Sequence, residues 1–124
     1  MNARENLLRA IRREGPEWVP NRMEAVRVIG PPICERPDRA GPDAFGVMWS
    51  YEAGAEGGTF PACDGHTIRD LARWREQITI PDVDAADWSV AAAKAGEVDR
   101  GETLVCAFVE MGLFERSYLL LGMA

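Results

Sequence analysis

Residues 103 to 122, Thr-Leu-Val-Cys-Ala-Phe-Val-Glu-Met-Gly-Leu-Phe-Glu-Arg-Ser-Tyr-Leu-Leu-Leu-Gly, predict an apolar strand that runs through a short turn into a helix. A strand that hands over to a crossover helix needs a further strand beyond that helix to pair with in parallel. Only Met123 and Ala124 follow. The expectation is therefore a partial α/β (or α+β) fold, the opening portion of something larger. A complete eight-stranded β/α barrel takes about 250 residues, and the chain has 124, so one copy cannot close such a barrel alone.

Composition narrows the function classes. The net charge is -6, with 20 acidic against 14 basic residues. That balance argues against nucleic acid or an anionic membrane as partner, because both select clustered Lys and Arg. The N-terminus intersperses Arg4, Glu5, Arg9, Arg12 and Arg13 with single apolar residues, which is neither a signal peptide nor a membrane span. Cytoplasm is the expected compartment. Cys34, Cys63 and Cys106 are odd in number and widely spaced, which suggests reduced thiols rather than a disulfide framework or a zinc knuckle. With His66 the only histidine, neither a nucleophile–histidine pair nor a zinc site with about three protein ligands is expected.

Along the chain, Asn2 is placed to cap a first helix, with Glu5 three residues on, Leu7, Leu8 and Ile11 on one face, and Gly15-Pro16 as its end. Ala25 to Ile29 is a candidate strand, closed off by Gly30-Pro31-Pro32. An irregular stretch without a helix then runs to Pro42. Ala44 to Tyr51 and Gly58 to Ala62 read as a hairpin around Glu52 to Gly57, an excursion lying across another surface. Thr67 is expected to cap a second helix through Ile68, Asp70, Leu71 and Trp74. Asp82 or Asp84 is expected to start a third through Trp88, Ala92, Ala95 and Val98. The unalternating run Thr103 to Val109 suggests a strand buried on both faces, with Cys106 a small buried hydrophobe and Trp49, Trp74 and Trp88 as packing residues. Gly54, Gly57 and Gly58 lie within the hairpin and do not open a helix, so they make no phosphate loop.

Six segments in order carry a resemblance: Arg4-Glu5-x-x-Leu8-x-Ala10-Ile11-Arg12-Arg13-Glu14 with Pro16, Val19 and Pro20; Asp43-x-Phe45-Gly46-Val47-x-Trp49; His66-x-Ile68-x-Asp70-Leu71; Pro81-Asp82; Gly112-Leu113-Phe114-Glu115-Arg116; and Leu120-x-Gly122-Met123. Together they span essentially the whole chain, which resembles the N-terminal third of the uroporphyrinogen decarboxylase superfamily. The nearest branch is the one that includes the corrinoid-dependent methyltransferases. The resemblance implies a TIM-type barrel segment, with a helix over the barrel base, a hairpin excursion and the first barrel strand. It also implies that the zinc ligands of the methyltransferases, a histidine and cysteines, lie in a C-terminal part absent here. The chain is then expected to bind no cofactor alone and to be inactive alone, with a corrinoid carried on a partner protein. In the decarboxylase branch an arginine-rich motif of the type Arg-Gln-Ala-Gly-Arg follows the first strand. Here Asn21-Arg22-Met23-Glu24-Ala25-Val26-Arg27 lacks that pattern, which disfavours a tetrapyrrole decarboxylase fragment. A non-catalytic binding or oligomerisation module is the remaining alternative.

The candidate ligand or partner residues are Glu110, Met111, Arg22, Arg27 and His66. Glu110 and Met111 follow the strand Thr103 to Val109, and active sites of barrels are built at the C-terminal ends of strands; a solvated turn carboxylate is the commoner use of such a glutamate. The family orientation would bring them to the same rim as Arg27. Arg22 and Arg27 flank the first strand and could pair with a carboxylate or phosphate, although surface ion pairing is commoner. His66 precedes a helix and could meet a ligand there, although a turn-satisfying role is commoner. Leu113, Phe114, Tyr118, Leu119, Leu120 and Leu121 give the last helix more apolar surface than one small sheet can cover. The expected partners are a second copy, a complementary barrel chain, or a corrinoid protein.

Overall fold

The computed structural model describes residues 1–54 and 58–122. Gly57 of the hairpin loop and Met123 of the last motif lie outside the described residues. In chain order the elements are α1 (Ala3–Arg12), α2 (Arg22–Ala25), β1 (Val26–Ile29), β2 (Gly41–Pro42), β3 (Met48–Tyr51), β4 (Thr59–Pro61), a 3-10 turn (Leu71–Arg73), α3 (Trp74–Gln77), α4 (Ser89–Gly96), β5 (Leu104–Ala107) and α5 (Leu113–Leu121). They form two units, Met1–Pro32 with Asp87–Val109, and Ile33–Ala86 with Glu110–Ala124. Among the described residues the strands make one two-stranded and one three-stranded sheet, an α+β arrangement with no closed barrel. No helix among them is long and apolar enough to cross a membrane.

In the first unit, the Asn2 side chain accepts from the Glu5 amide at 2.9 Å and so satisfies one free donor of α1. The helix stops at Arg12, short of the expected Gly15-Pro16, because Arg13 turns left-handed at φ 61°. The Arg13 and Glu14 amides then bond back to the Ala10 and Arg9 carbonyls. Of the expected apolar face, Leu7 and Leu8 are half-buried and Ile11 is 66% exposed, while the fully buried position of α1 is Asn6. Asn6 is accommodated because its amide donates to the Trp18 carbonyl at 2.9 Å and accepts from the Glu17 amide at 2.7 Å, lashing the following segment to the helix. Asn6→Ala is expected to cost about 1–3 kcal/mol by orphaning both backbone groups. An unchanged urea midpoint would show that water replaces the side chain.

Asn21 and Glu24 form a reciprocal capping box over the single turn α2, which the sequence reading did not anticipate. The Glu24 carboxylate also accepts from the Trp18 indole at 2.9 Å. The indole bond, then the Asn21 amide, hold its pKa below the usual carboxylate value. A depressed folded pKa means that this contribution to stability is present above the unfolded value and is lost as pH falls through the folded one. β1 then pairs with β5 in parallel, Val26 opposite Leu104 through Ile29 opposite Ala107. The Phe108 amide continues the ladder to Ile29 at 3.0 Å. The expected strand through Val109 is thus shorter, and it is not buried on both faces: Leu104 and Val105 are half-buried, Cys106 and Ala107 exposed. Cys106 is therefore not a core residue, because in a two-stranded sheet no neighbouring layer covers its position. The alanine-rich helix begins at Ser89 rather than at Asp82 or Asp84; the Asp87 carboxylate accepts from the Ser89 amide at 2.9 Å.

In the second unit, β2, β3 and β4 form the expected antiparallel hairpin with one added strand, Trp49 facing Gly41 on one side and Pro61 on the other. Val47, Trp49 and Leu119 make the core, with Met111, Tyr118 and Leu120 against it. Thr67 does not cap a helix: its hydroxyl donates to the Gly46 carbonyl at 3.0 Å. Asp70 caps instead, accepting from the Ala72 amide at 2.9 Å at the head of the 3-10 turn that leads into α3. Asp82 serves a turn, accepting from the Asp84 and Ala85 amides.

Candidate functional site

A polar cluster is built on the turn that precedes β3. Gly46, at φ 84°, lets the chain reverse so that the Asp43 and Val47 backbones pair. The Asp43 carboxylate is left pointing inward. One of its oxygens accepts from the Phe45 and Val47 amides, both at 2.9 Å. The other accepts from the Trp49 indole at 3.2 Å and from Arg116 Nη1 at 2.8 Å. Asp43 has no side-chain exposure and Arg116 12%. The Arg116 guanidinium also lies over the Phe45 ring, 3.9 Å from its centroid. The Asp43-x-Phe-Gly-Val-x-Trp and Gly-Leu-Phe-Glu-Arg segments thus meet through one buried ion pair.

Around this pair the charges alternate. The Glu35 carboxylate is 3.8 Å from Arg116 and accepts from the Glu110 amide at 2.7 Å. The Glu110 carboxylate lies 3.9 Å from Arg36. Arg36 donates to the Thr59 hydroxyl at 3.1 Å and to its carbonyl at 2.6 Å. Acceptors and donors are largely spent on one another, so the cluster clamps the unit rather than offering an open site. Its accessible members are Glu110 and Arg36, each with 39% side-chain exposure. Glu110 is consequently held at two points, by its amide and by its carboxylate.

The other candidates fall as follows. Met111 is half-buried and packs against Val47, Trp49 and Leu119. Arg22 and Arg27, in the first unit, line one cleft of about 410 Å³ with Thr103 and Phe108. Neither guanidinium has a hydrogen-bond or ion-pair partner among the described residues. Two guanidinium groups beside Met23, Val26 and Phe108 favour a carboxylate or phosphate ligand, although the Glu24 carboxylate, bonded to the Trp18 indole, lines the same cleft. His66 is exposed and lines a cleft of about 380 Å³ in the second unit. Cys34, Cys63 and Cys106 are all exposed and unbridged. Partial desolvation, then the charges of Asp43 and Asp38, push the Cys34 thiol above its usual pKa. Among the described residues no group of three or more His, Cys, Asp and Glu could hold a metal.

No protein-family model, curated protein or solved structure matches the chain.

Sequence reasoning missed Glu35, Arg36, Asp43 and Arg116 as a cluster. The usable signal was chemical: Asp43 and Arg116 are charges set among Phe45, Val47 and Trp49, and among Leu113, Phe114 and Tyr118. In such apolar settings a charge needs a partner of opposite sign.

Proposed function

We propose that the chain provides the opening strands and helices of a uroporphyrinogen decarboxylase-like barrel of the corrinoid-dependent methyltransferase branch. It acts in the cytoplasm, within a methyl-transfer complex. Further polypeptide, on the same or another chain, supplies the remaining strands and the metal ligands, and a corrinoid protein supplies the methyl-carrying cofactor. The observation that carries this reading is the parallel pairing of β1 with β5, whose outer edges are both unpaired among the described residues. Parallel strands belong to sheets covered on both faces and joined by crossover helices, and α4, which lies between these two strands in sequence, packs against β1. The meeting of the Asp43 and Arg116 segments supports it further, since both belong to the residues that carry the resemblance. A non-catalytic oligomerisation module is the second reading, favoured by Leu113 at 94% and Phe114 at 74% exposure on α5; a tetrapyrrole decarboxylase fragment is the third.

Co-purification from the native host, followed by a methyl-transfer assay with a methylated corrinoid protein, tests the first reading. The expected result is a barrel polypeptide or corrinoid protein bound to the chain, light scattering above the monomer mass at micromolar concentration, and methyl transfer by the complex but not by the chain alone. Arg27→Ala and Glu110→Gln should weaken capture of the partner while changing stability by no more than about 0.5–1 kcal/mol. A monodisperse monomer that captures nothing would overturn the proposal. A self-association that transfers no methyl group would favour the oligomerisation module.

A further inference from the structure

The turn after β4 places Cys63 and His66 along one cleft of the second unit, which Met48 of β3 also lines. The Ala62 amide bonds to the Met48 carbonyl at 2.9 Å, and the Gly65 amide closes a turn to the Ala62 carbonyl at 3.0 Å. A Cβ at Gly65 would lie 3.1 Å from the Cβ atoms of Met48 and Ala62, so the turn is seated directly against Met48. Cys63 and His66, both exposed, stand three residues apart on it. The His66 imidazole lies flush against Gly122 at the end of α5, where φ is 80° and any Cβ would overlap Nδ1. Met48, Cys63 and His66 line the same cleft, of about 380 Å³, whose walls include Val47 and Leu119. Neither the Cys63 thiol nor the His66 ring has a hydrogen-bond or ion-pair partner among the described residues.

Thiolate, thioether and imidazole together select soft, weakly hydrated cations, whereas carboxylate and carbonyl sets select hard ones. Zinc asks for about three protein ligands even in its open sites, and only two of the usual zinc donors line this cleft. A monovalent d10 cation is satisfied by two strong ligands, with a thioether as a weak third. We propose that the cleft binds one soft monovalent cation of the Cu(I) type, through the Cys63 thiolate and an imidazole nitrogen of His66, with Met48 as the additional donor. Binding replaces the Cys63 S–H bond by an S–metal bond and releases one proton; no electron is transferred. The other thiols compete poorly: partial burial, then the charges of Asp43 and Asp38, make Cys34 resist deprotonation, and Cys106 has only Val28 opposite it on the neighbouring strand. The proposal rests on the second unit alone and is independent of the methyl-transfer reading.

Anaerobic titration of the reduced chain with the Cu(I)–bicinchoninate complex, followed by loss of its absorbance, tests this. The chain is expected to withdraw one equivalent of Cu(I). Cys63→Ser and His66→Asn should each weaken binding at least tenfold and Met48→Leu a few-fold, while Cys34→Ser and Cys106→Ser should bind as the parent does. Near-ultraviolet circular dichroism should be unchanged in Cys63→Ser and His66→Asn, because both side chains are exposed. Equal losses in all three cysteine variants would reveal unspecific thiol binding and overturn the proposal. So would a His66→Asn protein that binds Cu(I) as tightly as the parent.

Discussion

Asp43→Ala is expected to be the most damaging single polar substitution in the chain, lowering unfolding free energy by about 3–5 kcal/mol, because it leaves the buried Arg116 with only the more distant Glu35 carboxylate. It also leaves the Phe45 and Val47 amides and the Trp49 indole without their acceptor. Arg116→Ala should cost less, since the Asp43 carboxylate keeps those three donors. The double variant should be more stable than the sum of the two losses predicts, by about 0.5–3 kcal/mol, the range seen for directly coupled residues. Urea unfolding of the four proteins measures this. Strict additivity would mean that the 2.8 Å contact contributes no coupling, and a loss below about 1 kcal/mol for Asp43→Ala would mean that water enters the site.

Trp49→Ala is expected to match it through packing. The side chain is 4% exposed, shares the core with Val47 and Leu119, and has the Arg36 guanidinium 5.5 Å from its ring centroid. Removal of a large buried aromatic costs about 3–5 kcal/mol, roughly a fifth or more of the stability of an ordinary domain. Trp49→Phe keeps most of the volume and loses the indole bond to Asp43, so its cost should fall near 0.5–1.5 kcal/mol. If the two variants unfolded at the same urea concentration, the hydrogen bond rather than the packing would be what matters at this position.

Features set by neighbours in sequence were legible from it. The Asn2 cap of α1 and the hairpin of β3 and β4 depend on residues a few positions apart, and their side-chain chemistry points to one outcome. The two apolar segments that became β1 and β5 were legible as strands, and their burial was not, because burial depends on what covers a sheet rather than on the strand itself. That is why Cys106, flanked by Val105 and Ala107, ends up exposed. Thr67 and Asp70 are both good caps locally. The choice fell to Asp70 because the Gly46 carbonyl takes the Thr67 hydroxyl and because Gln77 bonds back to the Arg69 and Asp70 amides. Arg22 and Arg27 could be named as candidates since both flank one strand. The clamp around Arg116 could not be assembled, because its central bond joins residues 73 apart and no local rule relates them.

The interleaving of the two units has a consequence for biosynthesis. Each is made of an early and a late segment, and the late segments, Asp87–Val109 and Glu110–Ala124, are consecutive. At translation rates of about 5–20 residues per second, β1 waits some seconds on the ribosome before β5 emerges, and Asp43 waits likewise for Arg116. During that interval Val47 and Trp49 lack the helix that covers them and the Asp43 carboxylate lacks its counter-ion. A nascent chain arrested before residue 104 would carry both units unfinished, with unpaired strand edges and apolar side chains in the open, which is the form that holdase chaperones and proteases recognise.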